Sequence, residues 1–451
     1  MGSRNDTSYD RTFIRLYNGR NFVKIEGVMN KNTILVTVDQ SVQQHTAKRL
    51  KKQAVQDQAQ IPAKLKAVDT HAKSVQTAPL NRRRFLEMTA LGGVGLFSYH
   101  AKAALTLPQG ALTTQSLDIE DTSTQNPLSC ITPTISTRIF ASSNTGVDEA
   151  RNVLGLQRLT CAGFDIKNPE VLRRRYLRFG GTDQQRISDL QNMATGAIEV
   201  PKLLLAARGG YGAMRLLEQV NWQSLGDQMR EKGTILAGFS DVTAVQCALL
   251  AQGKMSSLAA PMLYSEFGKK QPDVVSCQGF IDAITQPKLK ISLPQQDISM
   301  LKTPMTGTLW GGNLSVVSAL AGSPYIPNPE GGIVFLEDVG EQPYQVERML
   351  YSLYLSGAFK RQQAIVLGAF SGTGQDSYDA RYDMSLVVKQ LKQITHLPVF
   401  TGLPFGHVAR KQSFPLGAQC QLSASDTGIE LEFSGYPTIA GELIYPEGLW
   451  R

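Results

Sequence analysis

Histidine and cysteine are scarce in this chain, which limits the chemistry open to it. Only five of the 451 residues are histidines, and only His396 and His407 follow residue 104. A general base in the body of the chain that works as an imidazole near neutral pH must therefore be one of these two. The cysteines are also five, widely spaced and without a Cys-x-x-Cys pair: Cys130, Cys161, Cys247, Cys277 and Cys420. This spacing argues against a zinc site or a disulfide framework and predicts single buried thiols.

Excess positive charge is missing from most of the chain. Residues 1–84 hold 16 of the 46 Lys and Arg residues but only 6 of the 38 Asp and Glu residues, so the rest of the chain is slightly acidic. The body has no electrostatic reason to hold a phosphate backbone, and we expect no nucleic-acid partner. The apolar run Met88–Phe97 is too short to span a bilayer as a helix, so stable membrane insertion is not expected.

The N-terminal segment is predicted to add little to a folded core. Residues 1–80 form a basic extension in which Thr12–Gly27 and Asn32–Asp39 have short strand-like runs, whereas Ser41–Ala78 is rich in Gln, Lys and Ala. This composition buries too little apolar surface to offset the entropy of ordering, so disorder or a weak amphipathic helix is expected. Residues 105–134 have the polar composition of a linker.

Residues 81–104 resemble a secretory signal of the twin-arginine type. The basic group Asn81–Arg84 precedes the apolar run, and the small residues of Ala101–Ala104 follow it, while Glu87 stands where a Lys would be usual. This order implies export to the periplasm. The alternative is a basic and apolar helix within a linker, which would leave the protein in the cytoplasm.

The body of the chain is predicted to be α/β with two domains. Apolar runs such as Lys202–Ala207 and Ile235–Gly238 alternate with helical patterns, which indicates a parallel-sheet domain over residues 135–268. A second, mixed α/β domain is predicted over residues 305–445. The polar residues 269–304 lack clear periodicity and are interpreted as the interdomain linker.

Ser240 is the candidate nucleophile. A strand enters the turn Gly238-Phe239-Ser240-Asp241, and a helix leaves it. Such a junction lifts a side chain above the sheet edge and directs the first N–H groups of the helix at the atom under attack. The ordinary alternative is that Ser240 caps the helix, as serine does routinely.

His407 and Glu337 are the candidate base and acid. His407 lies in a Gly- and Pro-rich loop after a strand, where open α/β sheets place reactive groups, whereas His396 fits a packing or surface role better. Glu337 ends a strand, where a carboxylate can orient an imidazole, or it is simply solvated. Its rivals for the acid are Asp338 and Glu341.

Two glycine-rich turns complete the candidate site. The segment Arg208–Gly212 follows a strand and opens a helix, so its N–H groups can approach negative charge, or it is a simple tight turn. In Trp310–Ser315, Asn313 could orient a substrate or cap the following helix.

The order of these motifs resembles the LD-carboxypeptidase family, which includes muramoyltetrapeptide carboxypeptidases and microcin-immunity peptidases. The likeness runs from about Arg138 to about Ala440 and is carried by five motifs: Arg-Gly-Gly-Tyr-Gly, Gly-Phe-Ser-Asp, Leu-Trp-Gly-Gly-Asn-Leu, Leu-Glu-Asp and Gly-His. One departure is Ala259-Ala260-Pro261, where many members carry His-Gly-Pro.

The resemblance implies a triad of Ser240, Glu337 and His407, with oxyanion donors at the backbone N–H groups of Asp241 and Gly210. Further substrate contacts are expected from Arg208, which could pair with a substrate carboxylate, and from Trp310 and Asn313. No metal or other cofactor is expected.

The activity implied by the resemblance is hydrolysis of the terminal D-Ala from murein tetrapeptides, so the expected partner is a muropeptide. Two alternatives are an amidase acting on microcin-like or other acyl-amino compounds, and a non-catalytic binder of cell-wall peptides. Homodimers are common in such families, so self-association is also an expectation.

Overall fold

The computed structural model describes residues 130–451, apart from positions 295, 300 and 377, together with the backbone of three strands in the N-terminal segment. These strands, Asp10–Asn18 (β1), Asn21–Asn30 (β2) and Thr33–Val38 (β3), form an antiparallel sheet in that order. They fall on the strand-like runs predicted there. The signal-like segment 81–104 and residues 105–129 lie outside the described residues, so the predictions for them stay predictions.

A six-stranded sheet forms the first half of the body. Its order is β14-β8-β7-β6-β4-β5, and all neighbours are parallel except the edge strand β14. Every residue of β6 and β7 is buried, as in parallel strands covered on both faces. The strands are Ile135–Phe140 (β4), Phe164–Ile166 (β5), Leu203–Ala206 (β6), Ile235–Gly238 (β7), Ser257–Ala259 (β8) and Phe414–Leu416 (β14).

Four helices connect these parallel strands, and three of them begin at a side-chain cap. Asp148 and Asn221 each accept a hydrogen bond from a backbone N–H in the first turn, and Thr182 forms a capping box with Gln185. The helices are Glu149–Cys161 (α1), Asp183–Ala194 (α2), Trp222–Lys232 (α3) and Thr243–Gly253 (α4). The α/β class with a parallel N-terminal sheet is therefore confirmed.

A seven-stranded mixed sheet forms the second half, in the order β13-β12-β11-β10-β15-β16-β9. The first four strands are parallel to one another and the last four are antiparallel. Its strands are Lys288–Pro294 (β9), Met305–Asn313 (β10), Gly332–Val339 (β11), Gln362–Ser371 (β12), Val399–Phe400 (β13), Gln419–Ser425 (β15) and Gly428–Ser434 (β16). The helices in this half are Val274–Thr285 (α5), Leu314–Ala319 (α6), Pro343–Leu355 (α7) and Met384–Thr395 (α8).

The interpretation of residues 269–304 as a linker is wrong for most of that segment. It holds α5, which Asp273 caps, and β9, which pairs with β16. Buried and exposed residues alternate along β9, with Leu289, Ile291 and Leu293 inside, so the polar residues that suggested a linker form its outer face. In addition, β14 from the C-terminal half of the chain pairs with β8 and forms an edge of the first sheet.

A disulfide joins Cys130 to Cys161, which corrects the prediction of five single thiols. Cys130, five positions before the start of β4, and Cys161, the last residue of α1, have Cα atoms 4.5 Å apart, although 31 positions separate them in the chain. Such a pairing depends on how α1 packs back along the sheet, which spacing alone does not reveal. The other three cysteines are buried free thiols, as predicted. Within the described residues no helix has the length and apolarity needed to cross a membrane.

Candidate active site

Ser240 stands at a sharp turn between β7 and α4. The backbone of Phe239 is extended, but Ser240 has a φ of 64°. This value lies in the left-handed region, which residues other than glycine rarely adopt. A residue in such a conformation costs on the order of 1–3 kcal/mol and persists only where its surroundings hold it. The turn places Ser240 beyond the carboxyl end of β7. The following helix has no side-chain cap, so the alternative role of Ser240 as an N-cap is wrong.

Asp241 anchors this turn. Its carboxylate is 4% exposed and accepts hydrogen bonds from Ser143 Oγ at 2.6 Å and from the backbone N–H of Ala213 at 2.9 Å. Burial raises the pKa of the Asp241 carboxyl, an effect that the two hydrogen bonds oppose. The side chain thereby ties the turn to the segments that follow β4 and β6.

Gly209 allows the neighbouring loop to lie directly against Ser240. A Cβ built on Gly209 would stand 2.8 Å from both Cβ and Oγ of Ser240, closer than side chains approach one another. The next residue, Gly210, has a φ of 120°, and a Cβ there would stand 2.4 Å from Asn144. The loop after β6 therefore needs glycine at both positions in order to bring its backbone to the serine.

His407 lies within hydrogen-bonding distance of Ser240. Its Nε2 is 2.9 Å from Ser240 Oγ, and its ring packs against Phe239 with 5.1 Å between centroids. The backbone of the loop is fixed as well, because Ser371 Oγ donates to the carbonyl of His407 at 3.0 Å. The other histidine of the body, His396, ends α8 in a left-handed conformation and contacts neither Ser240 nor Glu337.

Glu337 lies on the other side of the imidazole. Its side chain is 1% exposed, and its Oε2 is 2.9 Å from His407 Nδ1. Glu337 Oε1 accepts a hydrogen bond from Asn313 Nδ2 at 3.3 Å. The pairing of β11 with β12 shifts register between Leu336 and Asp338, so Glu337 lies at an irregularity that can redirect a side chain. With the Nδ1 proton facing Glu337, Nε2 is left to accept the proton of the Ser240 hydroxyl.

Of the three carboxylates considered for the acid, Glu337 is the one that contacts His407. Asp338 faces the start of α6, where it accepts from Ser315 N at 2.8 Å and from Asn313 Nδ2 at 2.9 Å. Glu341 lies beyond the end of β11 and makes no ion pair or side-chain hydrogen bond within the described residues. Among those residues, no three His, Cys, Asp or Glu side chains are grouped so as to hold a metal ion.

Two protein-family models match this chain. Residues 137–260 match the LD-carboxypeptidase N-terminal domain, and residues 306–422 match the LD-carboxypeptidase C-terminal domain. Together the two matches cover more than half of the chain. The chain belongs to the LD-carboxypeptidase family. A putative carboxypeptidase of Streptomyces coelicolor is 30% identical to this chain, over 62% of this chain and 88% of its own length.

Two further members of the LD-carboxypeptidase family are similar over the same region. The murein tetrapeptide carboxypeptidase of Pseudomonas aeruginosa is 28% identical over 60% of this chain and 87% of its own length. The crystal structure of the muramoyltetrapeptide carboxypeptidase from Oxalobacter formigenes superposes with a TM-score of 0.61 at 33% identity, over 67% of this chain and all of that chain. A microcin C7 self-immunity protein has the same fold, with a TM-score of 0.57 at 20% identity over 69% of this chain.

Two side chains predicted to bind substrate, Trp310 and Asn313, are buried in the structure. Trp310 is fully buried and donates its Nε1 hydrogen to Gln362 Oε1 at 2.8 Å, inside the second sheet. Asn313 is 5% exposed. Its Oδ1 caps α6, and its Nδ2 donates hydrogen bonds to the carboxylates of Glu337 and Asp338. Both side chains therefore have partners inside the protein, and a substrate role for them stays a prediction. Asn313 holds the carboxylate that orients His407.

Arg208 remains beside the candidate nucleophile. It is half-buried, donates to the carbonyl of Thr145 at 3.0 Å and lies over the ring of Tyr264 at 4.9 Å. The assignment of the Asp241 and Gly210 N–H groups as oxyanion donors stays a prediction.

A buried ion pair behind the active site escaped the sequence reasoning. Lys411 and Glu266 are 2% and 7% exposed and lie 2.9 Å apart. The Lys411 ammonium also lies 4.6 Å from the centre of the Phe239 ring, and this ring packs against His407. The pair joins the segment after β8 to the loop before β14. The two residues are 145 positions apart, and neither stands in a motif, so no local signal could have found them.

Proposed function

We propose that this protein is a serine-type LD-carboxypeptidase that removes the terminal D-Ala from murein tetrapeptides. The observation that carries the proposal is the continuous series of contacts from Ser240 through His407 to Glu337, with 2.9 Å at each step. Such a series is the arrangement that activates a hydroxyl for attack on an acyl carbon. The names of the similar proteins from Pseudomonas aeruginosa and Oxalobacter formigenes support the choice of a murein peptide as substrate.

In the proposed reaction, His407 Nε2 takes the proton of Ser240 while Oγ attacks the carbonyl carbon before the terminal D-Ala. The buried carboxylate of Glu337 keeps the imidazole oriented and stabilises the positive charge that it gains. The N–H groups of Asp241 and Gly210 hold the oxyanion, a contribution of about 3 kcal/mol for each such donor. His407 then returns the proton to the departing amine, and water releases the shortened peptide from Ser240 by the reverse proton path.

The decisive experiment compares Ser240→Ala with the unchanged protein on a murein tetrapeptide, with released D-Ala as the readout. We expect no measurable D-Ala from the variant and an unchanged thermal unfolding curve. Ser188→Ala is the matched control, because Ser188 is a partly exposed residue of α2 whose hydroxyl donates only to the carbonyl of Gln184. Full activity in Ser240→Ala would disprove the proposal.

Two further assays define the reaction class. Preincubation with EDTA is expected to leave D-Ala release unchanged, whereas strong inhibition would indicate a metal hydrolase. The same three side chains would also serve an amidase, so an aminoacyl sulfamoyl nucleoside is tested beside the tetrapeptide. Tight tetrapeptide binding without turnover would indicate a cell-wall peptide binder instead.

We also propose that the protein works outside the cytoplasm, in the periplasm. Two observations support this: the twin-arginine-like order of residues 81–104, and the disulfide between Cys130 and Cys161, since disulfides persist mainly in oxidising compartments. Fractionation of the cells that make the protein, followed by alkylation of the denatured chain, tests it. We expect periplasmic material with three thiols that react before reduction. Cytoplasmic material with five reactive thiols would contradict the proposal.

A further inference from the structure

A cavity of about 490 Å³, not lined by Ser240, His407 or Glu337, has no assigned role. It is formed by the segment after β4, the segment after β5 and the first half of α1. We infer that this cavity binds the amino-terminal part of the peptide substrate, a segment that carries both a carboxylate and an amide or amine. This inference rests on the proposed carboxypeptidase function and adds a second binding site to it.

The position of the cavity suits a peptide that reaches Ser240. The segments after β4, β5 and β7 all leave the carboxyl ends of parallel strands of one sheet, which is the edge where such sheets bind ligands. The strands β4 and β5 lie two and three places from β7, which corresponds to about 10–14 Å at the usual strand spacing. An extended peptide covers this distance in about three or four residues, the length of a tetrapeptide.

The reaction type decides which part of the substrate must extend in this direction. A carboxypeptidase releases a single terminal residue, so the remainder of the peptide lies on the acyl side of the attacked bond. On the other side of Ser240, Phe239 packs against Phe405 and His407 from the second half of the body. We therefore place the acyl side of the substrate over the loop after β6 and towards β4, away from these contacts.

One loop connects the cavity with the catalytic side chains. Thr145 lines the cavity, and its carbonyl accepts the hydrogen bond from Arg208. The adjacent Asn144 accepts from the backbone N–H of Tyr211 at 3.3 Å, on the loop that lies against Ser240. Tyr211 is 50% exposed beside this path. A substrate that extends from Ser240 would cross Asn144 and Thr145 before entering the cavity.

The lining of the cavity has the chemistry of a peptide site. Its apolar part includes Val147 and Val153, which are 67% and 45% exposed. Asn152 lines the cavity with a side chain that is 94% buried (6% exposed); its Nδ2 donates to the carbonyl of Gly146, while its Oδ1 has no hydrogen-bond partner. The hydrogen bond to Gly146 joins α1 to the segment after β4, the two elements that form this wall of the cavity.

Charges of both signs surround this apolar part. The charged lining residues are Glu149, Glu170, Arg173 and Arg175, and all four are exposed. Within the described part of the chain none of them forms an ion pair, although other exposed charged residues, such as Lys290 and Arg361, do. Unpaired guanidinium groups beside unpaired carboxylates suit a ligand that carries both a carboxylate and a nitrogen donor. The residues that precede the diamino acid in a murein peptide have these groups.

The test is steady-state kinetics of the double variant Arg173→Glu/Arg175→Glu on two substrates. For a murein tetrapeptide we expect KM to rise about tenfold, with kcat within about twofold, because the cavity contributes binding far from the reacting atoms. For the dipeptide of the diamino acid and D-Ala, which is too short to reach the cavity, the variant and the unchanged protein are expected to have equal KM. Val153→Trp, which fills the cavity from an exposed position, should raise KM for the tetrapeptide in the same way.

Arg348→Glu is the matched control, because Arg348 is an exposed arginine of α7 without an ion pair within the described residues. It is expected to leave both substrates unaffected. Equal KM for the tetrapeptide in the double variant and the unchanged protein would overturn the inference. If the unchanged protein hydrolyses neither peptide, the proposed function fails by itself. Calorimetric titration of Ser240→Ala with the tetrapeptide then decides about the cavity: weaker binding after charge reversal supports it, and equal binding excludes it.

Discussion

Replacing Glu337 by Gln tests how much of the rate depends on one buried charge. The Glu337 side chain is 1% exposed, and its Oε2 lies 2.9 Å from His407 Nδ1. At this distance, a carboxylate and an imidazolium attract each other by about 6 kcal/mol if the effective dielectric constant is about 20, which is an upper limit for the net effect. A loss of this size would lower the rate by about 10⁴-fold.

The structure also determines the direction in which the new amide would point. Glu337 Oε1 accepts a hydrogen bond from Asn313 Nδ2, so the amide oxygen of a glutamine would take this position and its NH₂ group would face His407. His407 Nδ1 would then have to accept, which moves the ring proton to Nε2, the atom that must accept the proton of Ser240. Glu337→Gln therefore removes the charge and also favours the unproductive tautomer.

The assay measures kcat/KM for D-Ala release, together with thermal unfolding of each protein. Asp338→Asn is the matched control, because Asp338 is an equally buried carboxylate on the same strand that shares Asn313 but does not contact His407. We expect this control to lose about 1–3 kcal/mol of stability and to keep its rate within about fivefold. The reasoning is refuted if Glu337→Gln is slowed by less than about tenfold, or if both variants are slowed equally.

Three other changes have defined outcomes. Gly209→Ala should lower kcat/KM by about 100-fold at nearly unchanged stability, because the new Cβ would displace the Ser240 side chain. A fully active variant would show that the close approach of residue 209 to Ser240 does not require glycine. Lys411→Met should lower the free energy of unfolding in urea by about 3–5 kcal/mol, because it leaves Glu266 buried without its partner. Adding Glu266→Gln should recover most of this loss, and equal stability of the single and double variants would contradict the prediction. Cys161→Ser should lower the same free energy by about 3–4 kcal/mol, as expected for a cross-link between residues 31 apart; a reductant should then destabilise the unchanged protein but not the variant.

Local patterns were sufficient for most elements of the body but failed where polar and apolar residues mix. The apolar runs that predicted β6 and β7 are strands whose residues are all buried, because a parallel strand covered on both faces excludes polar residues. The strand β9 has one exposed face, and the lysines and serine on that face give it a composition that predicts a linker. Since a half-exposed strand resembles a loop in composition, only its pairing with β16 distinguishes the two.

The chain's residue types and their order determined by themselves the α/β class, the family resemblance and the short list of reactive side chains, since each depends on neighbours along the chain. Tertiary structure alone decided which of these side chains meet. Ser240 and His407 are 167 positions apart, and Glu337 and His407 are 70 apart, so no local pattern could bring them within hydrogen-bonding distance. It also turned Asn313 and Trp310 inwards, joined Cys130 to Cys161 and paired Lys411 with Glu266. The physical reason is that contacts between distant segments form only when sheets and helices pack, and packing depends on the whole core.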